Sequence, residues 1–85
     1  MRIWARMVRN NHLIKDMTVA REDDTRTHRV FGAIDEVCQA WDLQRPLWLD
    51  SNVAEFKKHA KTRFGADCFI EEIEFDYLEI RVLEE

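Results

Sequence analysis

Between Thr27 and Leu43 the chain reads THRVFGAIDEVCQAWDL, with apolar residues Val30, Ile34, Val37 and Trp41 at three- and four-residue intervals and Phe31, Cys38 and Ala40 flanking them. That spacing is one broad stripe of a helix, and a stripe of that kind has to be buried against something. The segments before and after it supply short strands and one shorter helix, so the stripe calls for a small sheet laid on one central helix. With 85 residues the chain has room for one core, and residues 1–85 read as a single domain.

The strands follow from period-two alternation. Met1, Ile3, Ala5 and Met7 alternate with Arg2, Trp4, Arg6 and Val8, a half-buried strand whose first set faces the core. Asn10-Asn11 tolerates positive φ, which makes Arg9 to His12 a tight hairpin turn before a second strand from Leu13 to Ala20. A bulge near Lys15 and Asp16 is expected there, because only an extra residue brings Ile14 and Met17 to one side. Arg21 to Arg26 (REDDTR) is a charged connection, with Thr25 or Thr27 as helix cap. Gly32 inside the helix predicts a close approach of helix and sheet.

Beyond Pro46, Leu47-Trp48-Leu49 reads as a short third strand with Trp48 outward. Asn52 and Glu55 fit a capping box for a second helix, Val53 to Phe64, striped by Val53, Phe56, Ala60 and Phe64 and stopped by Gly65. Phe69 to Phe75 and Tyr77 to Leu83 alternate on opposite parities, so a turn or bulge falls near Asp76 and Tyr77, and Tyr77 to Leu83 is the last strand.

In its order of strand, hairpin, strand, helix, short strand, small helix and final strand, the chain resembles the β-grasp, or ubiquitin-like, superfamily. MRIWARMV is similar to the ubiquitin opening in its alternation, PLWLD occupies the third-strand position, and YLEIRVLEE closes as a similar last strand. The resemblance implies an α+β two-layer sandwich: a mixed four-stranded sheet on one central helix plus a second short helix, the last strand central and parallel to the first. The second helix is longer than the family's, and Asp67 to Asp76 is additional. The ending Val82-Leu83-Glu84-Glu85 lacks the Gly-Gly whose carboxylate such modifiers activate, and two cysteines cannot ligate an iron–sulfur cluster as other members do. LDSN and FDYLEI also resemble segments of short bacterial proteins of clostridial type, a likeness that brings no function with it.

Hydrophobic residues make up 46% of the chain, including three Trp and five Phe, so the core is assembled from a few large side chains. The net charge of −4 provides no basic field to attract nucleic acid or an anionic membrane. MRIWARMVRNN lacks the apolar run of a signal peptide, and nothing approaches the roughly 20 apolar residues of a membrane span. Cys38 lies on the helical stripe, where a thiol packs as a small hydrophobe. These features describe a cytoplasmic protein with reduced cysteines.

No catalytic, cofactor or metal site is expected. His12, His28 and His59 have no metal-ligand spacing, there is no Cys-x-x-Cys, Ser51 is explained by helix capping, and Gly32 and Gly65 are too few for a phosphate loop. Two surfaces stand out instead. Parity puts Trp4, Arg6, Tyr77, Arg81 and Leu83 on the face of the sheet turned away from the central helix, with Trp48 joining from the edge. Trp, Tyr and Arg together have the composition of an interface hot spot, for a protein partner or a homodimer. The alternative is an anion or nucleic-acid patch from Lys57, Lys58, Lys61 and Arg63 on the basic second helix. From Asp67 to Glu85 there are eight acids against Arg81 alone, an acidic flank suited to a basic partner or to head-to-tail self-association.

Overall fold

The computed structural model describes residues 1–85. In chain order the elements are β1 (Arg2–Arg9), β2 (His12–Ala20), α1 (Arg26–Ala40), α2 (Asp50–His59), β3 (Lys61–Phe64), a single 3-10 turn at Ala66–Cys68, and β4 (Tyr77–Glu84). The strands form one sheet in the order β2-β1-β4-β3, antiparallel at every pairing. Both helices pack on the same face of it, giving the two-layer α+β sandwich.

The hairpin forms as its asparagines require: Asn10 and Asn11 have φ of 51° and 64°, the pair of left-handed residues that matches the twist of two antiparallel strands. A bulge follows. Val8 pairs with Leu13 and Met7 with Lys15, so Ile14 is the unpaired extra residue, one position earlier than expected. The bulge swings Ile14 to the helix side, where it lines a groove with Met7 and Trp41.

Helix α1 begins at Thr25, whose side-chain oxygen accepts the His28 N–H at 3.1 Å. Val30, Ala33, Ile34, Val37 and Cys38 form its buried stripe, packed on Ile3, Ala5, Val19, Leu78 and Ile80. Burial and the neighbouring Asp35 push the Cys38 thiol up to about 11. The helix ends at Ala40, earlier than Leu43, because Asp42 turns left-handed at φ 52°. Gly32 serves a purpose other than the one its position suggested: a Cβ there would lie 2.6–2.7 Å from the Arg21 guanidinium, so an arginine, not the sheet, fills the gap. Arg21 is held there by Asp23 and Glu36.

Three expectations need correction. Leu47–Leu49 is not a strand; it is an extended connection, tied by Leu47 N–H donating to the Cys68 carbonyl at 2.7 Å. The third strand is Lys61–Phe64, in the stretch whose Phe56, Ala60 and Phe64 imitate a helical stripe. Ala60 breaks that helix at φ 56°, after which Thr62 and Phe64 turn inward and Lys61 and Arg63 outward. Asn52 secures the change of direction: its amide accepts from Leu49 N–H at 3.0 Å and donates to Thr62 Oγ1 and the Arg63 carbonyl, both at 2.9 Å. Finally, β4 is central but antiparallel to β1, where the resemblance implied a mixed sheet with these strands parallel. With β3 inserted before it, the chain enters β4 from the opposite end. No helix is long and apolar enough to cross a membrane.

Candidate functional site on the open face of the sheet

Because α1 and α2 share one side, the other face of the sheet carries no covering layer of this chain. Register arranges its side chains in cross-strand rows. One row runs Thr18, Trp4, Arg81, Lys61 across β2, β1, β4 and β3; the next runs Asp16, Arg6, Glu79, Arg63. Val8 and Tyr77 begin a third.

The second row alternates in charge; Arg6, Glu79 and Arg63 pair among themselves, while Asp16 takes the Trp4 indole N–H of the first row. Glu79, 2% exposed, accepts Arg6 Nε at 2.8 Å on one oxygen and Arg63 Nε at 3.0 Å on the other. Burial works to raise its pKa, but the two arginine hydrogen bonds outweigh it and hold the carboxyl below its ordinary value. Arg63 also lies over the Tyr77 ring at 4.4 Å, and Arg6 is 5.3 Å from the Trp4 ring.

The first row is different. Arg81 and Lys61 are directly opposite, an arrangement that destabilises a sheet. Neither has a carboxylate within 4.0 Å, as every ion pair of the chain lies elsewhere. Arg81 Nε is out of reach of solvent and has no hydrogen-bond partner. Beside them Trp4 is half-buried, with its Nε1–H donated to Asp16 at 2.7 Å and the Arg6 guanidinium over its ring. Uncompensated cations next to an indole form an anion-accepting patch with an apolar floor.

Of the residues expected on this face, Trp4, Arg6, Tyr77 and Arg81 are brought together, whereas Leu83, 47% exposed, is the unpaired residue where the register shifts between Val82 and Glu84. Trp48 is not among them. It sits on the helix side, edge-on to Phe31, Phe56 and Phe64 at 5.8, 5.5 and 5.1 Å, because the segment that carries it joins the core and not the sheet edge. The basic quartet is divided as well. Lys57 and Lys58 occupy the last turn of α2, whereas Lys61 and Arg63 lie on β3 and belong to the open face. Sequence reading missed those two as partners of Trp4, although the alternation Lys61-Thr62-Arg63-Phe64 is their signal.

Two grooves lie on the helix side. One of about 420 Å³ is floored by Met7, Ile14, Trp41 and Phe69 and rimmed by Glu71, Glu72 and Glu74. The other, of about 250 Å³, runs between the helices over Phe31, Trp48, Val53 and Phe56. The histidines are dispersed to the hairpin, the start of α1 and the end of α2. Comparison with protein-family models, curated proteins and solved structures returned no match to this chain.

Proposed function

We propose that this protein is a non-catalytic interaction module that binds an acidic protein surface on the open face of its sheet. The observation that carries this reading is the Trp4–Arg81–Lys61 row, where two adjacent cations have no carboxylate within 4.0 Å while Arg6 and Arg63 in the row beside it are both paired with Glu79. A partner carboxylate removes the repulsion between Lys61 and Arg81, and an apolar group beside it covers Trp4. A polyanion such as nucleic acid fits less well. Arg6 and Arg63 are committed to Glu79, Lys57 and Lys58 face elsewhere, and the chain as a whole is negative.

The test is a titration of isotope-labelled protein with a short Glu/Leu peptide and, separately, with oligothymidylate at low salt. Peptide-induced shifts centred on the Trp4 indole N–H, Lys61 and Arg81, weakened tenfold or more in Arg81→Glu, support the proposal. Absence of shifts up to about 1 mM peptide, or tighter binding of the oligonucleotide, overturns it.

A further inference from the structure

We infer that the occupant of the open face is the acidic loop of a second copy of this chain, so that copies associate head to tail. The inference rests on the reading of that face as an interaction surface and names its partner. The loop is residues 69–76, between the 3-10 turn and β4. Phe69 and Phe75 pack edge-on at 5.7 Å beneath it, and Asp76 ties its far end by donating its N–H to the Val8 carbonyl and accepting the Asn10 N–H. Between those anchors Glu71, Glu72 and Glu74 are exposed, and none has a cation within 4.0 Å. Ile70 at their head is 76% exposed, more than any other large hydrophobic residue of the chain.

The loop therefore offers what the Trp4–Arg81–Lys61 row lacks: carboxylates for the two cations and an aliphatic side chain for the indole. It cannot supply them within one molecule. Glu71, Glu72 and Glu74 rim the groove over Met7 and Trp41, on the helix side, whereas Trp4 and Arg81 lie on the opposite side of the sheet. A symmetric face-to-face dimer offers the two cations only Asp16, whose carboxylate already takes the Trp4 indole N–H, since Glu79 is saturated by Arg6 and Arg63. The remaining arrangement joins two different surfaces, and such contacts repeat until a ring closes or an open chain grows.

Size sets the strength. Four strands at about 4.8 Å spacing and about six residues of strand give a patch of roughly 400 Å², half the ~800 Å² per partner of a standard stable interface. Association is accordingly weak and sensitive to salt, since the contacts are rim charges.

Sedimentation velocity of the full chain from about 10 μM to about 1 mM tests this. The mass average is expected to rise with concentration and to fall back toward the monomer at about 0.5 M salt. Two variants separate the surfaces: Lys61→Glu/Arg81→Glu disables the face, and Glu71→Gln/Glu72→Gln disables the loop without making it complementary to the reversed face. Each alone should be monomeric, with association weakened at least tenfold. Mixed in equal amounts they should form a heterodimer and nothing larger, because one working face then meets one working loop. Lys61→Glu, at the sheet edge, carries the face arm alone should the double variant fail to fold. A wild type that stays monomeric, a loop variant that still self-associates, or a mixture that does not pair overturns the inference. If the wild type is monomeric yet binds the Glu/Leu peptide at Trp4 and Arg81, only the second-copy assignment fails; if the peptide also fails to bind, the functional reading falls with it.

Discussion

Replacing Glu79 by glutamine preserves its shape and removes the charge that holds the second row together. The carboxylate is almost fully enclosed and takes one Nε–H bond on each oxygen. A glutamine has a single carbonyl oxygen, so one arginine keeps a weakened bond and the other meets an amide N–H. Hydrogen bonds to a charged group contribute about 1.5–3 kcal/mol each. Arg63, with 57% of its side chain exposed, recovers most of its loss by turning to water, while Arg6, at 26%, recovers less. The expected destabilisation is about 2–4 kcal/mol, a fall in Tm of roughly 10–30 °C for a domain of this size. Urea unfolding followed by tryptophan fluorescence measures it. The pH dependence gives an independent check. Because the folded Glu79 pKa lies below its ordinary value of 4.5, its contribution is present above that pH and is lost as pH falls through the depressed folded value. Wild type and Glu79→Gln should therefore converge in acid. A difference under about 0.5 kcal/mol at neutral pH, or a gap that persists undiminished in acid, refutes the reasoning.

Asn52→Ala removes the two bonds that tie the start of α2 to β3, the Leu49 N–H bond that closes the first turn of the helix, and the bond accepted from the Cys68 thiol. It should cost about 2–4 kcal/mol in thermal unfolding and speed amide exchange at Lys61–Phe64 in particular; uniform exchange along all strands would argue against a local role. Ala60→Gly relieves a left-handed alanine and should stabilise by about 0.5–1 kcal/mol, read as a rise in urea midpoint without a change in slope.

The elements that the sequence discloses are those in which one period is uncontested. Ile3, Ala5 and Met7 alternate without a competing helical pattern, and Val30, Ile34 and Val37 form a stripe without a competing alternation. At Phe56, Ala60 and Phe64 the two patterns coincide: four-residue spacing suits a helix, while Thr62 and Phe64 equally suit a strand. Only tertiary pairing with Leu78 and Ile80 decides between them. Ala60 hid the boundary because an alanine gives no sign of a left-handed turn. Trp48 shows the converse case, in which an extended segment alternates without joining a ladder and its middle residue is drawn in by three phenylalanines. Sheet polarity could not be read either, since adding one strand before β4 reverses the direction in which it is entered. The site was legible in part for the same reasons: Trp4, Arg6, Tyr77 and Arg81 lie on strands that alternation marks clearly, whereas Lys61 and Arg63 were concealed by the helical reading of β3.

The outer margin of the hairpin has a consequence for how copies of this molecule can meet. On β2, Ile14 interrupts the ladder and Lys15 turns toward the helix layer, its ammonium 5.5 Å from the Trp41 ring. A strand adding along that margin meets the bulge at Ile14 beside the exposed Lys15 ammonium, and the opposite margin, β3, is only four residues long. Continuous hydrogen-bonded ribbons from molecule to molecule are discouraged at both margins. The cross-β growth that fixes a fibre permanently therefore has little to extend from at either margin.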